Sequence, residues 1–219
     1  MPGNIEKLPS VQPTEEPDFL VVSDLDEVIF NSIEEHQRQL TQLAEKKGEI
    51  EIPTLPEVLA VGGTHQAYQR FPWYQEANGA MRNSPEFNSG LPLMPGAREA
   101  IASFEAALHG YLTTRPETLT ELSRKELIKN GFPAREVIAR PKSVPLAETV
   151  AWKIGELEKI AQEKNKPVVM IDDSLKLFEA IFALSNPLIS ALLFRGPITP
   201  DHPAAKTWPE IMQTLQAHQ

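Results

Sequence analysis

Two aspartates, Asp24 and Asp26, close the apolar run in the stretch FLVVSDLDEVIFNS. In an extended or gently turning backbone, residues two apart project to the same side, so both carboxylates can face one small volume. Held that close, two negative charges need a cation or a shared proton. A solvated Asp-rich turn is the plain alternative. The pattern recurs, however. YLTTRP brings Thr113, Thr114 and Arg115 to the end of a second apolar run, and VVMIDDS brings Asp172 and Asp173 to the end of a third. A turn explains one such placement but not three. Lys153, in AWKIGEL, precedes the second acidic pair on a stretch that reads as helix, from which it can reach the same rim. Four carboxylates, hydroxyls and an ammonium around one crevice suit a divalent cation and a phosphate-like anion. Hard oxygen ligands favour magnesium, Mg2+, completed by water and substrate phosphate.

These residues need strands to deliver them. Phe19–Val22, YLT, EVIA, VVMI and ALLF read as short buried strands. Between them lie helical patterns in GAREAIASFEAAL, PETLTELSRKELIKNG, AETVAWKIGELEKIAQEKN and SLKLFEAIFAL, with WPEIMQTLQ after the last. Strands alternating with such helices imply parallel strands joined by right-handed crossovers, an α/β doubly wound parallel sheet. In that architecture ligands bind outside the carboxyl ends of the strands, where the loaded residues fall. SIEEHQRQLTQLAEKKG reads as a helix with Ser32 as N-cap, Glu35 completing a capping box and Gly48 as the stop. From there to about Gly90 there is no convincing strand, only short helices and loops. The first seventeen residues hold four prolines and no apolar period, which predicts a mobile tail.

Composition narrows the function. The chain has 219 residues, 41% apolar and 23% charged, as expected of one sizeable globular domain with an insertion. A net charge of −9 argues against a broad nucleic-acid or anionic-membrane surface. With no cysteine, disulfides and thiolate metal sites are excluded. No apolar run approaches a membrane span, and no basic-then-apolar leader opens the chain, so the expected location is cytoplasmic. The five histidines are scattered without metal-ligand spacing and read as structural or exposed. Gly62, Gly63 and Thr64 resemble a phosphate loop but follow no strand, and read as a flexible turn.

VVSDLDEV, YLTTRP, the lysine of AWKIGEL and VVMIDDS resemble, in order, the four motifs of the haloacid dehalogenase superfamily, in particular its magnesium-dependent phosphatases. The resemblance covers about residues 18–32 and 91–195. Glu27 departs from it, since many members carry glycine there. The resemblance implies a core of residues 18–32 and 91–219, with a helical cap of residues 33–90 inserted after the first strand. It implies Asp24 as nucleophile, Asp26 as general acid and base, Thr113 as a donor to phosphoryl oxygens with Thr114 as its rival, and Lys153 as the neutralising cation. Asp172 and Asp173 would hold magnesium, with Asp24 and the backbone carbonyl of Asp26. The leading substrate class is a small phosphorylated metabolite, a nucleotide first and a sugar phosphate second.

Arg70, Trp73, Tyr74 and Arg82 are candidates to line the leaving-group site, although the aromatic residues there also read as the insertion's own core. Arg115 reads first as partner to an acidic side chain and second as a substrate contact. Two alternatives stay open: transfer of the phosphoryl group to an acceptor other than water, as in a phosphotransferase or mutase, and a non-catalytic phosphate-ligand binding protein.

Overall fold

The structure is a computed structural model, and residues 17–196 and 202–217 are described. The expected N-terminal tail lies outside the described residues except for its last one, Pro17. Five parallel strands form one sheet: β1 (Leu20–Ser23), β2 (Leu108–Pro116), β3 (Glu136–Arg140), β4 (Val168–Asp172) and β5 (Ile189–Leu193), in the order β3-β2-β1-β4-β5. The chain leaves β1 toward β2 and β3, then crosses back to β4 and β5 on the other side. That reversal opens a crevice at the carboxyl ends of β1 and β4.

Alternation along β1 makes the two halves of the core. Val21 faces a cluster with α6 (Ala97–Ser103), α7 (Thr120–Lys129) and α10 (Trp208–Gln216), while Val22 faces one with α8 (Thr149–Lys164) and α9 (Leu175–Leu184). Both valines are fully buried, as a central parallel strand requires.

Between β1 and α6 come five short helices: α1 (Ile33–Lys46), α2 (Leu55–Ala60), α3 (Thr64–Tyr68), α4 (Tyr74–Arg82) and α5 (Pro85–Asn88). Ile33, Leu40, Val58, Tyr68, Phe71 and Tyr74 form a third apolar cluster of their own. The capping box expected at α1 is absent. Ser32 has helical backbone angles, its N–H and Oγ both donate to Glu27 Oε1 (3.0 and 2.6 Å), and Glu35 pairs with Arg38 instead. No described helix is long and apolar enough to cross a membrane.

β2 is longer than the YLT run suggested. Its pairing with β3 steps from Thr113↔Ala139 to Pro116↔Arg140, so Thr114 and Arg115 bulge out of the ladder beside the crevice. Such irregularities re-aim side chains. Before the bulge the two strands pack closely, with Gly110 in register with Glu136. A Cβ at Gly110 would meet the Glu136 carbonyl oxygen at 2.7 Å. Gly110→Ala should therefore cost about 1–3 kcal/mol, read as a lower urea midpoint. An unchanged midpoint would show that the β2–β3 edge has room to spare.

Candidate active site

The first turn beyond β1 shapes the site. Asp24 N–H donates to the Ile171 carbonyl of β4 (2.9 Å), tying the two strand ends together. The chain then folds back on itself: the N–H groups of Ile29 and Phe30 donate to Leu25, and that of Glu27 to Phe30 (2.8 Å). Glu27 adopts a left-handed backbone, φ 59°, where glycine is ordinarily preferred. The glycine common at this position in the resembling motif thus has a physical counterpart here. Glu27 tolerates the conformation with its carboxylate anchored to Ser32.

Lys153 projects from α8, the crossover between β3 and β4, into the space between β1 and β4. Its Nζ donates to Asp172 Oδ2 at 2.7 Å and lies 3.1 Å from Asp24 Oδ1. All three residues are buried. The contact to Asp24 is an ion pair whose angles miss hydrogen bonding, so Oδ1 has no hydrogen-bond partner. Asp172 Oδ1 accepts the Ser174 N–H (2.8 Å). Oxygens of Asp24, Asp172 and Asp173 lie within 4.8 Å of one another. Lys153 touches two of these carboxylates, and their crowding shows in the proton affinities of Asp24 and Asp173. Burial, partly offset by Lys153 and reinforced by Asp172 and Asp26, pushes Asp24 up to about 7. Burial, with Asp172, Asp24 and Glu27 adding to it, holds Asp173 well above the usual carboxylate range. Burial opposes the Lys153 ammonium, but Asp172 and Asp24 outweigh it and keep its pKa above the ordinary value. A buried oxygen without a hydrogen-bond partner and excess negative charge fit a hard divalent cation.

Asp26 is separated from this cluster by its own partner. Arg115, re-aimed by the β2 bulge, donates from Nη2 to Asp26 Oδ1 (2.6 Å) and from Nε to both carboxylate oxygens (3.1 Å each). Nη1 donates to Ser123 Oγ (3.3 Å), and the guanidinium lies 5.1 Å from the Phe30 ring centre. Burial alone would raise Asp26, but the Arg115 charge and hydrogen bonds win and hold it below the ordinary carboxylate range.

A cavity of about 570 Å³ lies between the strand ends and the helical insertion. Asp24, Asp26, Asp173, Thr114, Arg115, Tyr74 and Arg82 line it, and so do Gly62, Gly63 and Thr64. Thr113 is fully buried behind this wall, its Oγ1 accepting the Arg115 N–H (3.2 Å).

Arg70 and Trp73 do not line it, contrary to expectation. Arg70 donates to the Glu51 carbonyl and lies over Phe71; Trp73 Nε1 donates to Glu49 (3.0 Å) while its ring stacks on Phe71. The rings of Phe71 and Trp73 pack in the insertion's own cluster instead. Glu27, His36 and Asn78, not singled out for substrate contact from the sequence, do line the cavity. His36 carried a readable signal: it falls on the buried face of α1 with Ile33, Leu40 and Ala44.

No family model matches the chain, and no curated protein does. Solved structures do. The Protein Tyrosine Kinase A (PtkA) structure from Mycobacterium tuberculosis is 19% identical with a TM-score of 0.63, over 92% of this chain and 99% of that one. A HAD-superfamily hydrolase, subfamily IA, variant 1, from Geobacter sulfurreducens PCA is 17% identical with a TM-score of 0.58, over 94% and 100%. CbbY from Rhodobacter sphaeroides, in complex with phosphate, is 18% identical with a TM-score of 0.54, over 86% and 91%. At such identities the likeness is one of fold, and the chain has the haloacid dehalogenase-like fold.

The raised Asp24 makes stability depend on pH with a definite sign. Its ordinary value is 3.8, while in the fold it keeps its proton to about 7. Between those values the unfolded chain binds fewer protons, so this group's contribution falls as pH rises. In chelator, Asp24→Asn should therefore gain melting temperature over the unsubstituted protein from about pH 4 to about pH 7 and hold that gain above it. Magnesium should stabilise the unsubstituted protein more than the variant. A difference that stays flat with pH would mean that Asp24 is not held under this strain.

Proposed function

We propose, from this fold and the charges at its carboxyl edge, that the protein is a phosphomonoester hydrolase working through an aspartyl phosphate on Asp24. The observation that carries the reading is the buried Asp24–Lys153–Asp172 arrangement, with Asp24 and Asp173 opening on the cavity. Asp24, Asp172, Asp173 and the backbone carbonyl of Asp26 would hold magnesium, which when bound supplies positive charge against the phosphoryl oxygens.

In the first step an Asp24 carboxylate oxygen attacks phosphorus and the bond to the leaving oxygen breaks. Lys153 keeps Asp24 oriented and adds a fixed positive charge as negative charge spreads over the phosphoryl group. Thr114, which lines the cavity where Thr113 does not, offers its hydroxyl to a phosphoryl oxygen, and Thr113 holds the Arg115 backbone behind it. Asp26 hands a proton to the leaving oxygen, then takes one from the water that opens the aspartyl phosphate. Arg115 holds Asp26 ionised, the form the second step needs. Donation in the first step requires that clamp to loosen. The helical insertion acts as a cap that excludes water during transfer.

A second reading shares the first half-reaction and passes the phosphoryl group to another acceptor. One protein of similar fold, PtkA, is named a tyrosine kinase, which keeps that reading alive.

With magnesium the full chain should hydrolyse p-nitrophenyl phosphate, with chelator it should not, and Asp24→Asn should release no phosphate because an amide makes no stable acyl phosphate. Normal turnover by that variant would sink the mechanism. Asp26→Asn separates the two aspartates. It should slow alkyl phosphates at least roughly tenfold more than aryl phosphates, whose leaving groups need little protonation. Equal losses, with phosphoryl transfer limiting both, would place the acid on another residue.

A further inference from the structure

Polar atoms of Glu27, His36 and Asn78 on the cavity wall, Glu27 Oε2, His36 Nε2 and Asn78 Oδ1, are buried without a protein partner. Glu27 and His36 are each 5% exposed. Leaving such atoms unpaired is costly, so they call for a complement. They come from three different elements: Glu27 from the turn after β1, His36 from α1 and Asn78 from α4. Glu27 and His36 are held in place. Glu27 Oε1 is taken by Ser32, and His36 Nδ1 by Thr64 Oγ1 at 3.1 Å with its ring edge-on to Phe87 at 5.5 Å.

The chemistry of the complement follows from what these atoms can exchange. If Thr64 donates to His36 Nδ1, then Nε2 carries the proton and donates; with the other tautomer Nε2 accepts. Glu27 Oε2 accepts when ionised and can donate when protonated. Asn78 Oδ1 accepts. A hydroxyl is both donor and acceptor, so it satisfies all three whichever proton arrangement holds. A purine or pyrimidine base needs instead an open ring face to stack on, and the cavity's Tyr74 and Phe87 are only 1% and 5% exposed. His65 offers an exposed imidazole, tilted against Tyr74 at 5.7 Å. Three hydrogen-bonding positions against one small ring favour hydroxyls.

We infer that Glu27, His36 and Asn78 form a leaving-group subsite for a hydroxyl-rich phosphate ester, a polyol or sugar monophosphate, in place of the nucleotide that the sequence put first. The inference rests on the phosphatase reading for the position of the phosphate. Arg82, at the end of α4 and lining the same cavity, adds a cation whose charge is felt at Asp26 and His36.

Calorimetry on the full-length Asp24→Asn protein with magnesium tests it, because ligands bind there without turnover. The probes are glycerol 3-phosphate, ribitol 5-phosphate, glucose 6-phosphate, phenyl phosphate and AMP. At least one of the first three should bind more tightly than phenyl phosphate and AMP. Adding Asn78→Leu, of similar volume on a half-buried helix face, should raise its Kd relative to that of phenyl phosphate at least about tenfold. His36→Phe is the second variant, and circular dichroism checks that both fold. Tighter binding of phenyl phosphate or AMP than of every polyol phosphate would overturn the inference. So would a ratio unmoved by the substitutions, the result expected if ordered water meets these atoms. Hydrolysis by the unsubstituted chain reports separately on the phosphatase reading. Binding that discriminates without hydrolysis keeps the subsite and removes the reaction, while hydrolysis with an unmoved ratio does the reverse.

Discussion

The buried ammonium of Lys153 is the contact around which the site is arranged. It lies between Asp24 at the end of β1 and Asp172 at the end of β4, the two strands that flank the reversal in sheet order. Taking these charges out of water is expensive, and one ammonium shared between Asp24 and Asp172 repays it only in part. The fold accepts the imbalance because its strand ends are locked by other means: the Asp24 N–H on Ile171, the Ser174 N–H on Asp172, and the Phe194 N–H on the Asp172 carbonyl. Rigid carboxylates with surplus negative charge are what a hard cation requires, and fixed positive charge is in turn what a phosphoryl group requires.

A second ion pair keeps the two opening aspartates apart. Their spacing puts both near one volume, yet Arg115 draws the Asp26 carboxylate toward β2 while Asp24 turns to Lys153. The two environments push proton affinity in opposite directions, Asp24 upward by burial and Asp26 downward by the guanidinium. Two carboxylates with separated proton affinities are a common basis for divided labour in one site. The β2 bulge is what makes this possible, since a regular strand would not carry Arg115 in that direction.

The parallel sheet was legible because its strands are short apolar runs between long helices, and the Lys153 cluster because each of its members sits at or reaches a strand end. Less was legible where geometry departs from period. The bulge at Thr114 and Arg115 has no signature in YLTTRP, so the partner of Arg115 was foreseen only as some acidic residue. Ser32 and Glu35 have the types and spacing of a capping box, but the left-handed turn at Glu27 takes the Ser32 hydroxyl first. In the insertion, types alone could not separate wall from core. Arg70 and Trp73 look like substrate contacts yet serve the local cluster, whereas His36 and Asn78 face the cavity from helices whose mutual packing no short pattern encodes.

The central claim is that Asp24 carries the phosphoryl group. Acid-quenching the full chain during turnover of an aryl phosphate with magnesium, then mapping its peptides by mass spectrometry, tests this most directly. The account predicts a phosphoryl group on the peptide containing Asp24, at Asp24 itself. Phosphate release with no labelled peptide, in a quench shown to preserve acyl phosphates, or with the label on another residue, would contradict it.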